Sequence, residues 1–210
     1  MMFCPHIRRF APPSLIPGLT SACRALSLHH IISGSIIMPT RIFSLALVTA
    51  ALLPATAFAG FTFPSIDGGK IDLADYAGRP VLVVNTASLC GFAPQFDDLQ
   101  TLHDTYAAQG LVVLAVPSND FRQELGNAAE VKEFCAVNFD LTVPMTDITP
   151  ILGTEAHPFF AWLAAEHDFV PGWNFNKVLL DGQGDVVDTW GSAMRPTAEP
   201  ITRKIEALLP

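Results

Sequence analysis

The chain has 210 residues, half of them apolar, with 12 Lys and Arg against 20 Asp and Glu and a net charge of −8. All 20 acidic residues lie beyond position 59, so residues 60–210 carry 8 Lys and Arg against 20 Asp and Glu, a net of −12. A surface this acidic argues against nucleic acid or an anionic membrane as a partner, since both would repel it.

Residues 1–37 hold Cys4, Cys23, the pair Arg8-Arg9 and several prolines, but no continuous apolar core. They read as an upstream extension. Met38 opens a basic start, followed by the apolar run Ile42 to Leu53 and the small-residue ending Pro54-Ala55-Thr56-Ala57-Phe58-Ala59. That order is a secretory signal peptide over 38–59, and its apolar run is shorter than the about 20 residues a membrane span needs. The expectation is an exported, periplasmic protein with no stable membrane insertion after cleavage. Residues 60–210 then form one domain of ordinary size.

Val81–Thr86 and Leu111–Val116 are nearly continuous apolar runs, as expected of strands covered on both faces. Between them, Pro94 to Ala108 places Phe96, Leu99, Leu102 and Tyr106 at helical spacing, with Pro94 in the first turn and Gly110 as the stop. This is a βαβ unit. A second helix is expected from Ala128 to Val137, with Val131, Phe134 and Cys135 on its apolar side. Leu141–Met145 is a short strand candidate, and Pro158 to His167 a third helix with Phe159, Phe160, Trp162 and Leu163 inward. Phe175–Leu180 and Asp185–Trp190 flank Asp181-Gly182-Gln183-Gly184, a hairpin signal, and Ala198–Leu209 closes the chain as a helix. The order is that of an α/β, thioredoxin-like fold, a central mixed sheet flanked by helices.

Reactive groups in open α/β sheets collect beyond the carboxyl ends of the parallel strands. The first strand delivers Cys90 to that edge and the second delivers Asn119 to Gln123. Trp173 and Asn174 precede the first strand of the hairpin, which starts at the same edge if it is antiparallel. Three distant segments should therefore converge on Cys90. Its thiol is expected to be exposed at the end of a buried strand, near a helix N-terminus whose free N–H groups favour the reactive thiolate.

Beyond position 59 the only other cysteine is Cys135, so the two could form a structural disulfide or a redox pair. No Cys-x-x-Cys or His-x-x-x-His cluster suggests zinc, and His103, His157 and His167 read as surface or packing residues.

Three segments carry a family resemblance. Asn85-Thr86-Ala87-Ser88-Leu89-Cys90-Gly91-Phe92-Ala93-Pro94-Gln95 is similar to Asn-x-Ala-Ser-x-Cys-Gly-Phe-Thr-Pro-Gln. Val116-Pro117-Ser118-Asn119-Asp120-Phe121-Arg122-Gln123-Glu124-Leu125-Gly126 is similar to Phe-Pro-x-Asn-Gln-Phe-Gly-x-Gln-Glu-Pro-Gly. Trp173-Asn174-Phe175-Asn176-Lys177 matches Trp-Asn-Phe-x-Lys. With these motifs the chain, from about Phe61 to Leu209, resembles the glutathione peroxidase family in its cysteine-containing form. It departs at three points: the second motif is one residue short before Gln123, Leu125 replaces a proline, and Ala93 replaces a threonine.

The resemblance implies a thiol peroxidase acting on hydrogen peroxide or organic hydroperoxides, with Cys90, Gln123, Trp173 and Asn174 around the reacting oxygen. It implies no bound cofactor, only a thiol reductant as co-substrate. Cys135 stands where thioredoxin-dependent members carry a resolving cysteine, so a thioredoxin-like dithiol protein is the expected reductant, with glutathione as the other candidate. Only Asp168 to Gly172 separates His167 from Trp173, where tetrameric, glutathione-using members carry a long insertion. A monomer with an open site is therefore implied. The alternative reading is a thioredoxin-fold peroxide sensor or relay protein with little turnover. A thiol-disulfide oxidoreductase is disfavoured, because Cys90-Gly91-Phe92-Ala93 lacks a second cysteine.

Overall fold

The computed structural model describes residues 60–210, and the extension and signal peptide expected over 1–37 and 38–59, with Cys4 and Cys23, lie outside the described residues. Six strands and four α-helices are present among the described residues, in the order β1 (Thr62–Pro64), β2 (Lys70–Asp72), β3 (Val81–Thr86), α1 (Gln95–Tyr106), β4 (Val112–Pro117), α2 (Ala128–Phe139), α3 (Pro158–Glu166), β5 (Lys177–Leu180), β6 (Val186–Trp190) and α4 (Glu199–Leu208). β1 and β2 pair as a separate antiparallel hairpin. The main sheet runs β4-β3-β5-β6, with β3 and β4 parallel and β5 antiparallel to both its neighbours β3 and β6.

Every residue of β3 and β4 is buried, and the period-2 alternation of strands divides their side chains between two cores. Leu82, Val84, Val113 and Ala115 pack with Phe96, Leu99 and Leu102 of α1, Val131 and Cys135 of α2, and Ile201 and Ile205 of α4. Val81, Val83, Val112 and Leu114 pack on the other side with Phe159, Phe160 and Leu163 of α3 and with Phe63 and Ile71 of the β1–β2 hairpin. The mixed, helix-flanked sheet expected from the sequence is the observed architecture.

Two expectations change. The β1–β2 hairpin was not foreseen, because two strands of three residues are too short to show a period. Leu141–Met145 is not a strand: only isolated bridges join Met145 to Ala115 and Thr146 to Ser65. Pro144 offers its carbonyl to the Ala115 N–H at 3.0 Å but has no N–H to continue a ladder.

The β5–β6 turn is held by Asp181, whose Oδ1 accepts the N–H groups of Gln183 and Asp185. Gly182 is required there by close approach, since a Cβ at that position would lie 2.9 Å from the Gly78 carbonyl carbon.

Candidate active site

Cys90 follows β3 by four residues and precedes α1 by five. Its carbonyl accepts the Ala93 N–H at 2.9 Å, and its Sγ accepts the Phe92 N–H at 3.4 Å. Two further turns, Gln95 N–H to Phe92 O and Phe96 N–H to Ala93 O, wind the chain into α1, with Pro94 as its N-cap. The thiol thus lies a turn ahead of the helix, where a backbone N–H still reaches it. It is only 5% exposed, packed with Ala87 and Ala93, so it is more covered than the sequence suggested. The cause is its place under the α1 turn, which joins it to the core. A cavity of about 250 Å³ lies beside that turn, lined by Gly91, Phe92, Pro94, Gln95, Ala193 and Arg195.

The Gln123 loop is tied directly to the Cys90 loop. The Leu89 N–H donates to the Gln123 carbonyl at 2.9 Å, and the Ser88 N–H donates to Glu124 Oε1 at 3.0 Å. The loop closes on Asn119, whose carbonyl accepts the Arg122 N–H and whose Oδ1 accepts the Glu124 N–H. Asp120 Oδ2 anchors it to the N–H groups of Ile151 and Leu152. Arg122 has φ of +58°, a left-handed conformation rare for a side-chain-bearing residue, so the shortened segment turns tightly just before Gln123.

The third segment arrives through β5. Val84 pairs with Lys177, so Trp173 and Asn174 fall beyond the end of β3, at the edge from which Cys90 departs. Asn85, buried in β3, fixes them. Its Nδ2 donates to the Trp173 carbonyl at 3.0 Å and its Oδ1 accepts the Asn176 N–H at 3.0 Å. Its carbonyl accepts the Phe175 N–H at 2.6 Å, and Phe175 is held at φ of +61° with its ring edge-on to Phe96.

The side chains then meet. Asn174 Nδ2 donates to Gln123 Oε1 at 3.1 Å, and the Trp173 indole stacks at a tilt on Phe121, centroids 5.1 Å apart. This arrangement leaves Gln123 Nε2 and the second Asn174 N–H unspent as donors. Asn174 Oδ1 is buried without a partner. A half-turn of both carboxamides exchanges their donor and acceptor ends, so the pair offers N–H groups in either sense. Trp173 is 40% exposed, leaving the indole at the rim of the site. The structure therefore brings together the segments bearing Cys90, Gln123, Trp173 and Asn174.

Cys135 lies on the buried face of α2, in the same hydrophobic core as Cys90, and both cysteines are free thiols. Burial, and secondarily the Glu124 carboxylate, push its thiol up to about 12. A smaller cavity of about 120 Å³ adjoins it, shared with Ile66, Leu141 and Met145. The helix carrying it is well capped: Asn127 Oδ1 accepts the Glu130 N–H at 3.0 Å, and Asn127 Nδ2 donates back to Glu130 Oε1.

Sequence reasoning quoted but did not interpret four residues that assemble the site: Asn85, Glu124, Gln95 and Lys177. Lys177 is fully buried, its Nζ donating to Gln95 Oε1 and to the Met194 carbonyl, both at 2.6 Å. Burial lowers its pKa to about 8. The contact joins the first residue of α1 to the first residue of β5, so the first and third motifs touch through it. The available signal was a polar or charged side chain inside an otherwise apolar run. Among the described residues no cluster of three His, Cys, Asp or Glu side chains is arranged to hold a metal ion.

Residues 58–164 match the family model described as glutathione peroxidase. A hydroperoxy fatty acid reductase of Synechocystis sp. is 39% identical over 161 residues, which cover 71% of this chain and 94% of that one. The crystal structure of Trgpx in apo form superposes with a TM-score of 0.58 at 31% identity, covering 73% of this chain and 95% of that one. The thioredoxin domain of a thiol-disulfide oxidoreductase from Bacteroides vulgatus, at 14% identity and a TM-score of 0.52, covers 76% of this chain and 100% of that one and shares the fold alone. This chain belongs to the glutathione peroxidase family and is a peroxidase of the oxidoreductase class.

Proposed function

We propose that this protein reduces hydrogen peroxide and organic hydroperoxides through Cys90 and is recycled through Cys135. The Cys90 thiolate attacks one peroxide oxygen in line with the O–O bond. The S–O bond forms as the O–O bond breaks, and the departing oxygen takes a proton to leave as water or an alcohol. The neutral donors of Gln123, Trp173 and Asn174 stabilise charge as it moves from sulfur to oxygen, a contribution of about 2.7–4 kcal/mol for one well-aimed donor. The single observation that carries this reading is the Asn174–Gln123 carboxamide pair, on a loop strapped to Leu89 next to the sulfur.

The Cys90 sulfenic acid then condenses with the Cys135 thiol, forming the disulfide and releasing water. A dithiol protein reduces that disulfide by exchange. A disulfide needs Cα atoms within about 7 Å and an accessible thiol, and because Cys135 is buried on α2 the scheme has that helix loosen for this step. The proposed setting is periplasmic and the working form a monomer. The relative from Synechocystis, named for hydroperoxy fatty acids, supports organic hydroperoxides as a substrate class.

Steady-state peroxide consumption with thioredoxin, glutaredoxin or glutathione tests the scheme. Wild type turns over with a dithiol protein, whereas Cys135→Ser oxidises once and stops. Intact mass after one equivalent of peroxide falls by two hydrogens in wild type. A stable wild-type sulfenic acid with no disulfide contradicts the resolving role, and a protein that oxidises once without dithiol-driven turnover is a sensor instead.

A further inference from the structure

We propose that Glu124 is a positioning residue for peroxide reduction, clamping the loop that carries Cys90 to the loop that carries Gln123, and that opening this clamp frees Cys135 to react. The inference rests on the roles given above to Cys90 and Cys135.

The clamp is built from consecutive contacts. Gln123 and Glu124 are bound to Leu89 and Ser88, the two residues immediately before Cys90. The carboxylate supplies one of the two straps. Its Oε1 also accepts the Leu125 N–H at 2.9 Å, which fixes the exit of its own loop towards α2. Removing this acceptor leaves a buried Ser88 N–H unpaired and releases one side of the turn that aims the sulfur.

The clamp is also easy to open. Glu124 is 7% exposed, and its Oε2 and the neighbouring Ser88 hydroxyl are both buried with no aligned partner beyond the imperfect contact they make with each other. A buried carboxylate held by neutral groups alone, with one oxygen poorly satisfied, gains solvation as soon as its loop swings out. Burial raises its pKa, while its contacts with Ser88 and Leu125 pull the other way.

Cys135 connects the clamp to the second half of the cycle. The same carboxylate is the charge that adds to burial in disfavouring a Cys135 thiolate. Two other acidic residues, Glu130 and Glu133, lie on α2, and Lys132 of the same helix, ion-paired with Asp67 from the β1–β2 turn, lines the cavity beside Cys135. Glu130 is occupied by Gly126 and Asn127, and with Glu133 it lines the outer groove of the helix beside Val137. With the clamp shut, Cys90 is aimed and Cys135 is passive. With it open, the charge leaves for water and the segment entering α2 is released, which is the loosening that disulfide formation needs.

Glu124→Gln and Glu124→Ala in the full chain separate the two effects. Gln keeps the oxygen acceptor but loses the charge. Single-turnover oxidation of Cys90 should slow roughly 10–100-fold in Glu124→Ala, the scale of a small misplacement of reacting groups, and Glu124→Gln, which keeps the acceptor, should recover most of that loss. In a Cys90→Ser background, thiolate absorbance should show Cys135 titrating lower in Glu124→Gln than in the Glu124 parent. Far-ultraviolet circular dichroism checks folding, and Glu124→Asp replaces the Ala variant as the reach test if Ala does not fold. Unchanged Cys90 oxidation in the Ala or Asp variant together with an unmoved Cys135 titration overturns the inference. Absence of Cys90 oxidation in wild type instead overturns the proposed function on which it rests.

Discussion

Asn85 and Trp173 lie 88 positions apart in the chain, yet the Asn85 amide donates to the Trp173 carbonyl at 3.0 Å. Asn85 also receives the Asn176 N–H and, through its own carbonyl, the Phe175 N–H. One buried side chain in β3 therefore sets the position of the Trp173–Asn174 pair relative to the strand that ends at Cys90.

Asn85→Ala should destabilise the protein by about 1–3 kcal/mol, the range for a buried polar group left unpaired. It should also lower kcat/KM, because the indole and the Asn174 amide lose their fixed place. Asn85→Asp should keep the Asn176 contact, lose the donor to Trp173, and fall in activity more than in stability. Urea unfolding beside peroxidase kinetics gives both numbers. Equal activity in all three proteins would mean that Asn85 serves packing alone.

Gln123→Ala and Asn174→Ala should each reduce single-turnover oxidation of Cys90 by roughly 10²–10³-fold, the effect of losing one aligned donor. Because the two carboxamides bond each other, the double variant should lose less than the product of the single losses. Strict multiplicativity would show that they act as independent groups.

Arg122 tests the shortened loop. Its φ of +58° favours glycine, whereas a β-branched residue there should cost about 1–2 kcal/mol. Arg122→Gly should keep both activity and stability, and Arg122→Val should lose both, as read by thermal unfolding and kcat/KM. Full activity in Arg122→Val would remove any role for the turn in presenting Gln123.

His157 makes stability depend on pH. Its Nδ1 accepts the Phe159 N–H at the start of α3, its Nε2 lies 3.0 Å from the Thr62 carbonyl, and its ring stacks on Phe63 at 3.8 Å. Burial holds its pKa below the ordinary 6.5. The unfolded chain therefore binds this proton more readily than the native state does. The contribution is complete above pH 6.5 and is lost as pH falls through that value towards the native one. His157→Asn keeps a cap and does not titrate. Wild type should lose its advantage over this variant in urea midpoints as pH falls below 6.5, and a constant difference would contradict the assignment.

The sequence made the main sheet legible because β3 and β4 are unbroken apolar runs and the Asp181–Gly184 turn is explicit. The short β1–β2 hairpin carried no period, and the apolar stretch Leu141–Met145 looked like a strand that Pro144, lacking an N–H, keeps from forming a ladder. At the site, the resemblance to the three family motifs pointed to Cys90, Gln123, Trp173 and Asn174, and the fold brings the segments that bear them together. The polar residues that bind the motifs to one another were harder to read. Asn85, Glu124 and the Lys177–Gln95 contact act across the fold, and their partners are set by topology rather than by spacing along the chain.

Rapid mixing of the full-length protein with one equivalent of hydroperoxide, followed by peptide mapping, tests the role of Cys90 most directly. Wild type should consume the oxidant and yield a peptide joining Cys90 to Cys135, while Cys90→Ser should leave the hydroperoxide intact. Consumption by Cys90→Ser at the wild-type rate would contradict the account.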